Sequence, residues 1–428
     1  MATVDAVTMK HVILSCLWLD YVWEQYMCCR QYKKTSSVTE VPNELKDTTS
    51  KKTFELAKQY TLDKKQFHFV KDHVNIIITT MIIHFDILPM IWKYSESVNH
   101  FGGEILTGCI WYLISTALIT AINLPLNVYD IFVIEENCKL KRNDFSTWNK
   151  LKTFVVSQIF ITVLSSMLVS LIQSGDKVFV ATWLTFCLVV FFVGIIYPMM
   201  APSKFRTHIA LDEGELRSQI EELARQFHFP LKEIYVEEHF KCAPPQSIYF
   251  YGSPQSKSIV LFDSLFPKEE GISCSYDEIL ALLTQEFGRW HHNHGVKYVL
   301  AMVINLLLSF GGFFYLFKHP EIYRAFGFSD AQPILVGVYV VLKYAMVIYS
   351  TLLSFVFTHI SRSFVFRDDS FAVRQGKGKA LISALVRLDQ KNLTFPVYDR
   401  LYSAWHNDKP SLLERIDEIK MATSRKTE

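Results

Sequence analysis

The sequence predicts a mainly α-helical membrane protein of seven spans with a smaller α+β domain outside the membrane. Half of its 428 residues are hydrophobic, and its 33 Phe and 20 Tyr exceed the aromatic content of typical soluble domains. Apolar windows of about 20 residues, the length that crosses a hydrocarbon core of ~30 Å, recur along the chain. The seven windows cover residues 9–29, 74–93, 103–125, 153–173, 178–198, 296–317 and 333–358.

Composition narrows the class of protein further. The net charge of +2 is close to neutral and says little about partners, and no nucleic-acid partner is predicted. The eight cysteines have neither a C-x-x-C pair nor a repeated spacing, which argues against a disulfide framework and against a cysteine zinc ribbon.

The spans divide the chain into four parts. Residues 1–201 are predicted to form an N-terminal membrane region with five spans, and residues 296–359 contain spans six and seven. The soluble domain is split between 202–295 and 360–428, the second half including the C-terminal tail. The first window contains acidic residues and lacks a small-residue cleavage site, so we expect a retained span rather than a signal peptide.

Charge asymmetry predicts the orientation. Loops 30–73 and 126–152 fall on the same side as both halves of the soluble domain, and the first loop carries ten Lys and Arg residues. The loop on the opposite side, 94–101, carries none. The positive-inside rule therefore makes the soluble domain cytosolic. The last four residues, 425–428, resemble a basic retrieval signal, which favours the membrane of the endoplasmic reticulum.

The soluble domain is predicted to combine helices with a small antiparallel sheet. Apolar residues from Leu216 to Ala224 recur at helical spacing, and a longer pattern predicts a helix over 276–294. Alternating or short apolar runs predict strands around Ile234 and at 248–252 and 259–262.

Ionisable residues inside the spans suggest a hydrated interior, because charges are costly in the hydrocarbon core unless they face water or a partner. Residues close to the headgroups can alternatively extend towards water. The residues concerned are Asp20, Glu24, Asp86, Glu104 and Lys343.

Residues 281–290 read A-L-L-T-Q-E-F-G-R-W, which resembles the A-V-L-G-H-E-L-G-H-W of the type I CAAX prenyl proteases. Further similar segments occur from Phe54 to Arg415, so the chain is identified as a member of that family. The resemblance implies a hollow chamber of seven spans capped by a split metallopeptidase-like domain. It also implies a zinc endopeptidase that cleaves the CAAX tails of prenylated proteins. The segments are 54–64, 132–136, 249–252, 259–263, 395–399 and 412–415.

The resemblance places three zinc ligands at positions whose side chains are poor ligands here. In an H-E-x-x-H helix two histidines at i and i+4 bind Zn²⁺ and the Glu activates water. This chain keeps Glu286 at the base position but has Gln285 and Arg289 at the histidine positions. Val365 stands in place of the third ligand, a Glu, and Asp369 matches an Asp that orients a ligand histidine. Since Arg remains protonated and has no acceptor, no zinc is expected at these positions.

Two further family positions differ. Ser247 stands where the family has an Asn that holds the substrate backbone, and Lys409 stands where it has a His that supports the transition state. Only Glu286 of the reactive set remains. At a spacing of three residues on a helix, Glu286 and Arg289 are predicted to pair and to stabilise the site without zinc. That pairing is a hypothesis.

Three histidines follow the motif: His291, His292 and His294. A relocated metal site is not favoured here, because the sequence indicates no third ligand nearby. They are interpreted as histidines at the membrane interface.

The favoured hypothesis is an inactive family member that binds prenylated CAAX proteins, other client proteins or an active paralogue within the lipid membrane, without a cofactor. The alternative is an active metalloendopeptidase that uses zinc to cleave prenylated CAAX proteins. A third hypothesis, lipid or solute handling by the chamber, rests on the ionisable residues in the spans and on the chamber that the resemblance implies.

Overall fold

The structure is a computed structural model, and it divides the chain into two compact units. Unit 1 contains residues 1–36, 58–186 and 306–354, and unit 2 contains residues 37–57, 187–305 and 355–428. The residues that the structure describes are 5–46, 50–130, 147–200, 208–237, 248–253, 255–266, 274–329, 331–389 and 395–427.

Helices dominate the described chain. The bounds of the long helices of the membrane region are α1 Ala6–Ser37, α2 Lys51–His84, α3 Ile87–Val98, α4 Glu104–Tyr129, α5 Thr147–Gln173 and α6 Asp176–Met200. The later helices of the chain are α7 Glu215–Gln226, α8 Tyr276–His291, α9 His294–Phe317, α10 Pro320–Ala325, α11 Ile334–Val340, α12 Val347–Arg374, α13 Gly378–Asp389, α14 Arg400–His406 and α15 Leu412–Thr427.

The protein is a mainly helical, multi-pass membrane protein, as predicted. Among the described residues, four helices are long and apolar enough to cross a membrane: 104–129, 152–173, 176–195 and 294–317. Two bent helix pairs raise the number to six if each pair is one span, with bends of 64° between α2 and α3 and 58° before α12. The first predicted window lies in α1. This helix is continuous, but Asp20 and Glu24 interrupt its apolar run. The count of seven spans and the chamber therefore stay predictions.

The spans present apolar side chains outwards. Phe160 on α5 and Leu188 on α6 are more than half exposed. A helix with apolar residues on all its faces is stable only in an apolar surrounding, such as lipid. Contact with membrane lipid therefore follows from the surface of these helices.

The predicted loops are shorter than the sequence pattern suggested. α1 continues to Ser37 and α2 begins at Lys51, so most of the predicted loop 30–73 is helical. Of the loop 126–152, residues 131–146 lie outside the described residues.

Ionisable side chains of the spans have polar partners within unit 1. Asp20 accepts a hydrogen bond from Thr351 Oγ1 at 2.7 Å, and Asp86 pairs with Lys10 at 2.9 Å. Glu104 accepts the backbone N–H of residue 334 at 2.7 Å. These contacts reduce the desolvation cost without a hydrated interior.

Unit 2 contains a four-stranded sheet with the order β1-β2-β4-β3. The prediction of a purely antiparallel sheet is wrong, because β2 and β4 are parallel. β3 and β4 form an antiparallel hairpin, and β2 pairs with the other edge of β4. The chain therefore reverses twice between β2 and β4, and these two strands run in the same direction. The strands are β1 His208–Ala210, β2 Leu231–Glu237, β3 Ile248–Ser253 and β4 Ser256–Phe262.

The core of unit 2 forms between this sheet and its helices. The central strand β4 buries Ile259 and Leu261 completely, and Ile279 and Leu283 of α8 belong to the same apolar cluster. The sheet therefore fixes the apolar face of α8 and leaves the opposite face for polar chemistry.

Candidate functional site

Helix α8 carries the candidate site, and its start is specified locally. Ser275 Oγ accepts a hydrogen bond from the backbone N–H of Glu278, and the Glu278 carboxylate accepts the backbone N–H of Ser275 at 2.8 Å. Such a capping box satisfies N–H groups that have no partner within the helix. This register places the motif residues Gln285, Glu286 and Arg289 within the last two turns of α8.

Helix α8 ends at His291, three residues earlier than predicted. Asn293 adopts the left-handed conformation with φ of 53°, a conformation that Asn tolerates better than most residues. α9 then begins at His294. The predicted helix 276–294 is thus a helix followed by a turn, and the turn brings His292 and His294 side by side, with ring centroids 5.2 Å apart.

A close approach connects α8 to α12. A Cβ atom at Gly288 would lie 3.0 Å from Phe371 Cβ, so the two helices pack at a distance that only glycine permits without a shift. This contact brings the last two turns of α8 next to the acidic residues Asp368 and Asp369 of α12.

Glu286 lies in a cluster of positive charges. Arg289 Nη1 donates a hydrogen bond to Glu286 Oε2 at 3.0 Å, as the spacing predicts, and the Glu286 side chain is only 15% exposed. Burial raises the pKa of Glu286 above its usual 4.5, while the nearby charges of Arg289, Arg415 and Lys409 act in the opposite direction and favour the ionised form. A carboxylate with a raised pKa is a stronger base than an exposed one.

The residues at the predicted zinc-ligand positions are either buried or close to carboxylates. Gln285 and Val365 are nearly buried, and Arg289 Nε lies 3.7 Å from Asp368 Oδ2, so the guanidinium faces two carboxylates. Lys409 is exposed but acts electrostatically on Glu286. Ser247 lies outside the described residues.

Asp369 belongs to a buried ion pair. Arg415 donates two hydrogen bonds to its carboxylate, of 2.6 and 2.9 Å, and the Asp369 side chain is almost fully buried. Arg362 on the same helix donates to Glu414 at 3.0 Å and to Ser403 Oγ at 3.0 Å. Two arginine–carboxylate pairs therefore connect α15 to α12, a strong and directional kind of contact.

A group of possible metal ligands lies at the end of α8. One atom from each of His292, His294 and Asp368 lies within 4.8 Å of the others. His294 and Asp368 are almost completely buried, and their closest atoms, Nδ1 and Oδ1, are 3.1 Å apart. The sequence indicates no third ligand near these histidines, and the structure places Asp368 beside them as a possible one.

A signal for Asp368 existed in the sequence. The family pattern F-E-F-Q-A-D corresponds to residues 364–369, in which the missing Glu is Val365 and the Ala position is Asp368. A carboxylate is thus lost and another gained one turn later. The carboxylate at Asp368 predicts no metal site by itself, because the sequence does not show that it lies beside the histidines.

The comparisons with known proteins cover nearly the whole chain. The family model described as CAAX prenyl protease N-terminal, five membrane helices, matches residues 31–203, and the model of peptidase family M48 matches residues 210–423. The chain therefore belongs to the CAAX prenyl proteases of peptidase family M48.

Individual relatives agree with this assignment. The CAAX prenyl protease 1 homolog of Homo sapiens is 34% identical over 444 residues, which cover 94% of this chain and 93% of that protein. The homolog of Mus musculus is also 34% identical and covers 95% of this chain and 94% of that protein. The crystal structure of S. mikatae Ste24p matches with a TM-score of 0.72 and 27% identity, covering 97% of this chain and 99% of that one.

The hypothesis of an inactive family member is wrong. It is overturned by full-length similarity to proteins that are named as proteases from Homo sapiens to Saccharomyces cerevisiae, and by the fold shared with Ste24p. The hypothesis assumed that no metal ligands remain near Glu286. The group of His292, His294 and Asp368 removes that premise, because donor atoms can lie at other positions of the same two helices.

Zinc is the cofactor that the metallopeptidase family implies. Its fit differs between the family's ligand positions and the group of His292, His294 and Asp368. An amide, a guanidinium already paired with carboxylates, and an isopropyl group do not form a zinc ligand set. Two imidazoles and a carboxylate do, and they match the three-ligand sets of catalytic zinc sites. The donor chemistry therefore favours His292, His294 and Asp368.

Proposed function

We propose that this protein is an active endopeptidase that hydrolyses a peptide bond in prenylated CAAX-box proteins. The observation that carries the proposal is Glu286, the family's base position, retained and largely buried beside three cations within a fold shared over 97% of the chain with Ste24p. Relatives of 34% identity named CAAX prenyl protease 1 support the substrate class.

Glu286 acts as the general base in this proposal. Its carboxylate accepts a proton from the attacking water, whose oxygen bonds to the carbonyl carbon, and returns that proton to the leaving amine nitrogen as the C–N bond breaks. The raised pKa of Glu286 suits both steps, because the carboxyl group must gain and lose a proton in one cycle. A zinc ion would polarise the carbonyl group and lower the pKa of bound water.

Lys409 contributes positive charge in this proposal. It stands at the family position that supports the transition state, and its charge reaches Glu286. An ammonium group near the scissile carbonyl stabilises the negative charge that develops on the oxygen. Arg289 holds the Glu286 carboxylate in place through the hydrogen bond of 3.0 Å.

We also propose that the protein resides in the endoplasmic-reticulum membrane with the soluble domain, residues 202–295 and 360–428, on the cytosolic side. The basic residues of 30–73 and the basic C-terminus support this orientation. A glycosylation acceptor placed at 94–101 should be modified in microsomes, whereas one after residue 427 should not.

The test of the activity uses the full chain in detergent micelles or liposomes and a farnesylated peptide with a CAAX end. We expect cleavage products by mass spectrometry, and the Glu286→Gln variant should lose at least about 100-fold in kcat/KM. Glu222→Gln is the control, because Glu222 is an exposed acid on α7 of the same unit. Absence of cleavage by the metal-supplied protein, or equal rates for E286Q and the unchanged chain, would overturn the proposal.

A further inference from the structure

We propose that His292, His294 and Asp368 form a binding site for a divalent ion of the Zn²⁺ type, displaced from the positions at which the family resemblance places its ligands. Metal binding by this group stands on its own geometry. A part for the ion in catalysis rests, in addition, on the proposed function.

The spacing of the donor atoms suits zinc. Bonds of ~2.0–2.1 Å at the tetrahedral angle separate two ligand atoms by about 3.3 Å. His294 Nδ1 and Asp368 Oδ1 already lie 3.1 Å apart. One donor atom of each of the three residues lies within 4.8 Å of the others, and the half-buried His292 ring can turn to complete the site.

Buried polar atoms without hydrogen-bond partners indicate a binding site. Both ring nitrogens of His294 and both carboxylate oxygens of Asp368 are buried and lack a hydrogen-bond partner among the described residues. The short distance between them does not have the angles of a hydrogen bond. Burying such groups without a partner is unfavourable, because they give up their hydrogen bonds to water. A cation between them would satisfy a nitrogen and an oxygen together.

The hydrogen bond of His292 Nδ1 leaves the other ring nitrogen, Nε2, as the atom that can coordinate a metal. His292 Nδ1 lies 2.7 Å from the carbonyl oxygen of Gly288, and because a carbonyl only accepts, Nδ1 carries the proton. In the neutral ring Nε2 then holds a lone pair. Ligand histidines in metal sites commonly donate their other N–H to a backbone carbonyl, which fixes the tautomer and the ring orientation.

Charges of both signs surround the group: Glu286 and Asp369 act on Asp368, and Arg289, Lys297 and Arg367 act on His294. Arg289 is paired with Glu286 at 3.0 Å and reaches only the outer oxygen of Asp368, at 3.7 Å. In the metal-binding state both histidines are neutral and Asp368 is ionised, so the three side chains together carry one net negative charge. Asp368 thus presents Oδ1 to His294 and Oδ2 to Arg289, and a ligand carboxylate held by a second group is typical of metal sites.

The test measures zinc binding to the full chain in detergent, with zinc alone as the probe. Protein stripped with a chelator is dialysed against Zn²⁺ and its metal content is measured, and Co²⁺ absorption reports the coordination. We expect about one equivalent for the unchanged chain. The Kd for zinc should rise by at least about 100-fold in H292A and in D368N. The loss of a residue that only hydrogen-bonds to a metal ligand has a smaller effect.

Two controls share the same segment. His291 is exposed and outside the group, and Gln285 occupies a family ligand position, so H291A and Q285A should bind zinc as the unchanged chain does. D368N keeps the shape of the buried side chain, and zinc should raise the Tm of the unchanged chain but not of D368N. H294A adds a third ligand variant if it folds.

Each outcome decides the metal site separately from the proposed activity. No zinc at saturation, or equal affinity in H292A and D368N, overturns the metal site and leaves a buried pair of His294 and Asp368. Zinc lost in Q285A alone overturns it as well. Zinc held by these three residues without cleavage of the farnesylated peptide supports the site and overturns the activity. Cleavage that persists in H292A and D368N supports the activity and overturns a part for this ion in catalysis.

Discussion

Arg289 donates a hydrogen bond to Glu286 at 3.0 Å, so a guanidinium and the expected general base form one unit on consecutive turns of α8. The ion pair explains how the largely buried Glu286 can be ionised and act as a base. Desolvation opposes ionisation of Glu286, and the guanidinium offsets part of that cost.

Replacement of Arg289 by Met should destabilise the protein by about 1–2 kcal/mol near neutral pH, because two largely buried carboxylates lose their shared cation. The value is reduced because the Arg289 side chain is 35% exposed. A Tm measurement checks it, with R289K as the control that keeps the charge. An unchanged Tm in R289M would contradict a stabilising role of the pair.

The same variant should change the pH dependence. The folded-state pKa of Glu286 is raised, so its ionisation opposes folding as pH rises, and Arg289 counteracts this only while Glu286 is ionised. The loss of stability caused by R289M should therefore become smaller as the pH falls through the raised pKa towards 4.5. The acidic limb of the kcat/KM profile should move to higher pH in R289M, and a shift to lower pH would refute the assigned sign.

Gly288→Ala should push α8 away from α12. The new methyl group would lie 3.0 Å from Phe371 Cβ, and such overpacking costs typically about 1–3 kcal/mol. We expect a lower Tm and weaker zinc binding together. Gly295→Ala is the matched control, since a Cβ there meets no atom within 4 Å. Equal behaviour of the two variants would show that the close approach is unimportant.

Asp369→Asn should weaken the connection of α15 to α12. The amide cannot accept both hydrogen bonds from Arg415, and the guanidinium is left without its counter-ion, at a cost of about 2–4 kcal/mol. Asp277→Asn, on an exposed side chain, should change Tm very little. Thermal unfolding distinguishes the two, and a native Tm in D369N would exclude the structural role.

Lys409→Ala should lower kcat by about 10- to 100-fold with little change in KM, because the charge acts on the transition state. Lys232→Ala, an exposed lysine of β2, is the control. The rates are measured on the farnesylated peptide. A change confined to KM would assign Lys409 to substrate binding instead.

Much of the fold was predictable from local patterns. The 3.6-residue period of residues 276–290 and the capping residues Ser275 and Glu278 specify α8, and short apolar runs specify the strands. The direction of β2 relative to β4 was not predictable, because strand pairing depends on which edge of the hairpin is free. The end of α8 was missed because the histidines continue an apparently helical pattern through Asn293.

The sequence by itself determined the family, the membrane character and the retention of Glu286, because these depend on residue identity along the chain. Only the tertiary structure decided which groups meet. The turn at Asn293 and the close packing of Gly288 on Phe371 bring His292 and His294 to Asp368, which belongs to another helix far along the chain. Metal coordination depends on distances of a few ångströms between donor atoms, and such distances arise from packing rather than from spacing in the sequence.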